Sequence, residues 1–221
     1  MGRGETFMTI ILFIYGACLG SWLTAMADRY ATGASPFYPA SHCDTCQTPL
    51  AYWQLVPVLS YLLLRGRCHY CQQRIPPTTL VLEVGVGLLL TTLTPATVRP
   101  LLWLGLWGFA ALCDARTQTF PGWIVWLAWP LTVWQLSWSA VILTTLLLLG
   151  IQFLWQRWPT PLIGDGDLEL ILAYIIYWGV TATAHWLLIA SALALWRARD
   201  RGRMAFLPYL VGSAVGWWLI R

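Results

Sequence analysis

The sequence predicts an all-α integral membrane protein of about eight transmembrane helices, with a four-cysteine loop on its cytoplasmic side. Three observations predict it. Of the 221 residues, 58% are hydrophobic and only 10% are charged, where soluble domains carry roughly 25% charged residues. Several apolar runs approach or reach the about 20 residues that a helix needs to cross a bilayer. Two Cys-x-x-Cys pairs sit together in the longest polar stretch.

The first apolar run, 7–27, is longer than the core of a signal peptide and has no clear small-x-small site before Asp28-Arg29, so it is expected to be retained. Seven more spans follow at 78–95, 99–115, 120–137, 139–156, 167–180, 182–196 and 205–220. Several are short for a perpendicular helix. The segment Leu55 to Leu64 carries Pro57 and reads as a surface or re-entrant piece. Three parts result: a first helix over 1–27, a cysteine-rich loop over 28–77, and a helical bundle over 78–221. No repeat or low-complexity tract interrupts them. The 16 Trp and nine Tyr suit a protein with many membrane interfaces, although most of the Trp are expected to be apolar filler.

Orientation follows from arginine, since there is no lysine. With eight crossings, Arg29, Arg65, Arg67, Arg74, Arg116, Arg157, Arg197, Arg199, Arg201 and Arg203 share one side. Arg3, Arg99 and Arg221 fall on the other. Positively charged loops stay in the cytoplasm, which places both termini outside. No nucleic-acid partner is expected. The lipid bilayer is.

In the loop, Cys43-x-x-Cys46 and Cys68-x-x-Cys71 are separated by 21 residues. Two such pairs can wrap one tetrahedral Zn²⁺. The alternatives are two disulfides or four free thiols, and a cytoplasmic loop favours zinc because disulfides rarely persist there. His42 and His69 flank cysteines but are not needed for four-thiolate ligation. Such a knuckle stiffens a loop and has no open catalytic position. Cys18 and Cys113 are expected to be inert core residues.

Nine acidic residues remain to be explained. Asp114 closes the run Leu101 to Cys113 at a predicted helix C-terminus, where the helix dipole disfavours negative charge. The bland alternative is a solvated acid paired with Arg116. Gly164-Asp165-Gly166-Asp167 precedes another apolar run, and taken alone it could be an ordinary turn and cap. Two apolar spans separate Asp114 from Asp167, and such a hairpin returns the chain to the side it left. The two acids can therefore face each other. Close carboxylates share a proton, so one can deprotonate a water while the other donates to a carbonyl. That is aspartyl protease chemistry. The glycines at 164 and 166 would let a backbone approach closely.

At this point the chain resembles the prepilin peptidase family, the type IV leader peptidases. Four stretches carry the match: Gly20-Ser21-Trp22-Leu23 with Arg29; the loop from Cys43 and Cys46 through Val56-Pro57-Val58-Leu59-Ser60-Tyr61-Leu62 to Arg65-Gly66-Arg67-Cys68 and Cys71; Glu83; and Asp114 with Pro121, then Gly164-x-Gly166-Asp167. The resemblance implies an aspartic endopeptidase of the GxGD intramembrane class. Its substrates would be prepilin or pseudopilin precursors of type IV pili, competence or protein secretion systems. Cleavage would follow a glycine on the cytoplasmic face of the cell membrane. Asp114 and Asp167 would be catalytic, Gly164 and Gly166 supporting, and Asp165 dispensable. Many members then methylate the new N-terminus with S-adenosylmethionine, and the resemblance extends that cofactor to this chain if the methyltransferase is retained.

There are departures. Thr24 stands where asparagine is common, and Gln54 and Gly122 where acids are common. Glu169 replaces a common lysine. Presenilin-like and signal-peptide-peptidase-like GxGD proteases lack the four-cysteine loop. The non-enzyme alternative is a transporter or a non-catalytic assembly component of a pilus or secretion system.

Overall fold

The computed structural model describes residues 3–158, 164–197 and 205–220. Arg199, Arg201, Arg203 and Arg221, used above for orientation, lie outside them. The described residues are all helical apart from loops and two isolated bridges. The long helices are α1 (Arg3–Thr32), α3 (Pro77–Thr91), α4 (Val98–Thr117), α5 (Trp123–Val133), α6 (Trp138–Arg157), α7 (Asp165–Trp178), α8 (Val180–Arg197) and α9 (Leu207–Ile220). One overlaps each expected apolar range. A short α2 (Leu59–Leu63), preceded by a single 3₁₀ turn at Tyr52–Leu55, occupies the Pro57 segment. Among the described residues, three helices are long and apolar enough to cross a membrane: Gly4–Thr32 of α1, α4 and α6.

Boundaries shift where local chemistry overrides hydropathy. α1 runs five residues past its apolar stretch to Thr32. From the last turn of α1, the Arg29 guanidinium donates to the carbonyls of Ser35 and Pro39 at 2.7 and 2.6 Å, which ties the following segment to the helix end. The break between α7 and α8 is one residue, Gly179, at φ +87. This conformation strains any residue with a Cβ.

The chain divides into two compact units, Met1–Leu101 and Leu102–Arg221. In the first, α1 and α3 pack antiparallel. A Cβ on Gly16 would meet Val86 O and Gly87 Cα at 2.6 and 2.8 Å, and one on Gly20 would meet Leu82 O at 3.0 Å. Small residues allow such backbone approach, the usual way apolar helices associate in lipid. Thr24 faces inward on the same helix and donates to the Gly20 carbonyl at 2.9 Å.

The core of the second unit gathers Trp103, Trp107, Ile124, Leu148, Leu170, Trp186, Leu207 and Leu210. Here α7 packs on α5, α6 and α8, and α8 on α9. The buried indoles are more than filler. Trp103 Nε1 donates to Thr132 Oγ1 at 2.9 Å, and Trp186 Nε1 to the Leu210 carbonyl at 2.6 Å. Tyr174 stacks on Trp186 with ring centroids 4.0 Å apart. Each bond fixes one helix against another, because a buried N–H without an acceptor is costly.

Candidate active site and metal centre

Asp114 lies in the last turn of α4, half-buried. The helix end is closed by the Gln118 N–H, which donates to the Asp114 carbonyl at 2.8 Å with Gln118 at φ +55. The Asp114 carboxylate accepts the backbone N–H of Leu207, the first residue of α9. Such an N–H has no partner within its own helix. An α9 N-terminus therefore meets an α4 C-terminal acid and supplies the favourable dipole that α4 itself denies.

Asp167 sits in the first turn of α7, where a carboxylate is favoured by the dipole. Its Oδ2 lies 3.3 Å from where a Cβ on Gly164 would stand. The neighbouring Gly166 is buried beneath the ring of Phe120, and a Cβ there would overlap that ring, with Phe120 Cζ at 2.6 Å. The second glycine of the motif is thus demanded by an aromatic residue from the α4–α5 connection, not by backbone conformation. Gly166→Ala is expected to displace Phe120 or the start of α7 and to cut the activity proposed below by at least tenfold. Phe120→Leu in the same chain is expected to restore part of it. Comparing the single and double variants in one assay checks this, because unrelated damage would add instead of cancelling.

Asp114 and Asp167 line one cavity of about 650 Å³. Gly164, Gly166, Phe120, Trp123, Trp126, Trp155, Gln152, Glu169 and Leu207 line it too. The sequence-predicted acids and glycines are therefore brought together in three dimensions. Three contributors escaped sequence reasoning. Leu207 acts through its backbone, Phe120 through shape, and Gln152 through a 2.7 Å hydrogen bond from Nε2 to Glu169 Oε1. Glu169 is buried. That bond gives the departure from the common lysine a physical setting, since a buried carboxylate needs donors.

In the first unit the four cysteine sulfurs all lie within 4.8 Å of one another. Cys43 and Cys71 are 3.8 Å apart, and Cys46 and Cys68 4.0 Å. None is disulfide-bonded. Four thiolates held 2.3 Å from one tetrahedral zinc would stand ~3.8 Å apart, so the arrangement fits the ion.

The two knuckles repeat one construction. Isolated bridges pair His42 with Pro49 and Arg67 with Arg74, each spanning from one residue before the first cysteine of its pair. Gln47 and Gln72, one past each second cysteine, adopt φ +55 and +58. Their N–H groups donate to Cys43 and Cys68, and their side chains to Asp44 and His69 carbonyls. His42 Nδ1 lies 3.0 Å from the Ala40 carbonyl and His69 packs edge-on against Trp53, so neither belongs to the sulfur cluster. The Thr48 hydroxyl and backbone hold the Cys46 thiol down, to about 6, while burial and the neighbouring thiols push Cys71 up, to about 11, as expected where close sulfurs compete to ionise.

Around the knuckles, Gln54 is buried. Its Oε1 accepts the Ala51 N–H at 2.7 Å, and its Nε2 finds no partner among the described residues. Glu83 on α3 accepts the Val58 N–H at 2.7 Å, with Val58 held at φ +63.

The bacterial peptidase A24 N-terminal domain family matches residues 14–96. A prepilin leader peptidase/N-methyltransferase of Klebsiella pneumoniae is 30% identical over 206 residues, covering 83% of this chain and 90% of that protein. The protein of that name from Neisseria gonorrhoeae is 28% identical over 218 residues, covering 82% of this chain and 76% of its own. One from Pseudomonas putida is 42% identical over 93 residues, which are 39% of this chain and 32% of that protein. No solved structure matches.

Proposed function

Because this chain belongs to the prepilin leader peptidase/N-methyltransferase family, we propose that it is a multi-pass membrane aspartic endopeptidase that removes the leader from prepilin or pseudopilin precursors. The observation that carries the reading is the placing of Asp114 and Asp167 on a single cavity. One carboxylate keeps a proton that the other has lost, since two close charges repel. The ionised member takes a proton from water, and the resulting hydroxide adds to the scissile carbonyl. The protonated member donates to the carbonyl oxygen as the tetrahedral intermediate forms. Collapse of that intermediate breaks the C–N bond and returns a proton to the leaving amine. Leu207 N–H holds Asp114 in place throughout. Trp123, Trp126 and Trp155 give the cavity apolar walls that suit a hydrophobic segment beside the cut.

Cys43, Cys46, Cys68 and Cys71 would hold a structural zinc. With four protein ligands it has no open position for chemistry. The arginine split supports eight crossings with the 28–77 loop in the cytoplasm and both termini outside. If the methyltransferase is retained, the chain would also use S-adenosylmethionine to methylate the new N-terminus.

The test is incubation of a model prepilin with membranes containing the wild-type chain, read by gel shift and by the mass of the new N-terminus. Leader removal supports the peptidase, and an added methyl group supports the second activity. Intact precursor would sink the reading and favour the transporter or assembly alternative.

A further inference from the structure

We propose that an arginine-lined cavity in the first unit seats the phosphate headgroup of an anionic phospholipid. The cavity, of about 440 Å³, is bounded by Tyr61, Arg65, Arg67, Arg74, Pro76 and Pro77, and no acidic side chain lines it. The second knuckle builds it. The antiparallel Arg67–Arg74 bridge sets two cations opposite each other, and like charges directly opposite are destabilising in such a pair. The Arg65-Gly66 step, at φ +53 and +66, turns a third arginine onto the same cavity. Tyr61 closes the floor, donating to the Ile75 carbonyl at 3.4 Å and lying so close to Gly66 that a Cβ there would stand 2.8 Å from its hydroxyl. An anion between the guanidiniums relieves their repulsion, and the forked geometry of arginine matches phosphate oxygens.

The position of the cavity selects lipid over a soluble phosphate. Gly16 packs against residues 86–90 and Gly20 against 82–86, so four residues forward on α1 is four back on α3. Continuing that register brings Pro77, on the cavity rim, level with about Ala27, where the apolar stretch of α1 gives way to Asp28-Arg29. The arginines therefore stand at the end of the α1–α3 pair, level with the polar end of the membrane-crossing stretch of α1. Immediately before them, Leu59, Leu62 and Leu63 of α2 share one helix face and are exposed. Exposed leucines beside a cationic seat at headgroup depth suit an acyl chain with its phosphate.

The experiment uses the full-length protein in mixed micelles with equal amounts of phosphatidylglycerol and phosphatidylcholine bearing the same acyl chains. Retained lipid is counted by native mass spectrometry. Phosphatidylglycerol is expected to be retained on the order of tenfold over phosphatidylcholine. Combined Arg65→Gln, Arg67→Gln and Arg74→Gln should remove the preference, the matching lysine variant should keep part of it, and Arg157→Gln should leave it unchanged. A photoactivatable phosphatidylglycerol on the wild-type protein should crosslink within residues 59–77, which tests the site without any variant. Equal retention of both lipids, or crosslinks confined to other segments, would overturn the proposal. So would displacement of the lipid by millimolar inorganic phosphate, which would make the cavity a site for soluble phosphate.

Discussion

Asp114→Asn and Asp167→Asn are each expected to lower cleavage of a model prepilin on the order of 10³-fold, within the range a positioned acid or base contributes. Both variants should remain folded. Asparagine keeps a carbonyl oxygen that can accept the Leu207 N–H, and at 167 it is still a good residue for a helix start. Loss of function without loss of structure is the signature sought, so each variant needs a thermal unfolding measurement beside its activity. The pair acts as a unit, and the double variant should be hardly worse than either single one. The wild-type pH profile should be bell-shaped, with its two limbs belonging to the pair and not to either residue. Asp165→Asn serves as the comparison and should retain substantial activity. An inactive Asp165 variant beside an active Asp167 variant would reassign the motif.

The second large effect concerns the sulfur cluster. Exchange of Cys43, Cys46, Cys68 and Cys71 for serine is expected to abolish bound zinc and to unfold the segment between α1 and α3. That segment has few buried apolar residues of its own. Cys68 and Gln54 are buried, but Phe37, Tyr38, Tyr52 and Leu63 are largely exposed. Binding energies on the order of 10–16 kcal/mol measured for small zinc domains show how far one ion can carry such a fold. Metal analysis of the purified protein should give one zinc per chain in the wild type and none in the variant. Limited proteolysis should cut the variant within residues 34–76 while the wild type resists. Acid should release the ion from the wild type, because thiolates must be deprotonated to bind it. A wild-type protein without zinc would refute the centre directly.

Much of this architecture was legible in the amino-acid sequence because two of its signals are local. Apolar runs located the long helices among the described residues, and the Cys-x-x-Cys spacing located the knuckles. Asp114 and Asp167, which a hairpin of two apolar spans returns to one side, line one cavity. What escaped was non-local or non-chemical. Nothing about Phe120 in the sequence says that its ring will lie on Gly166. Leu207 contributes a backbone N–H, which every residue but proline possesses, so no side-chain pattern could mark it. Gln152 in an apolar run was the one available clue, a polar residue needing a reason, and its partner Glu169 supplies that reason. The tryptophans divided in a way composition could not resolve. Trp103 and Trp186 are tied into the core by their N–H groups, whereas Trp134, Trp138, Trp158 and Trp196 are exposed at or near helix ends, where interfacial aromatic residues belong.

The hydrogen bond from Leu207 to Asp114 has a consequence for how the protein is born. Asp114 is synthesised more than ninety residues before its donor. While the ribosome is still making the intervening helices, that acid stands at the end of α4 with neither its N–H partner nor Asp167 across from it. A nascent chain halted before α9 would carry both acids but lack the group that steadies the first. The active site proposed above is thus completed by nearly the last piece of the described chain to be made, and the proposed competence to cleave would arrive late in translation instead of growing with each helix.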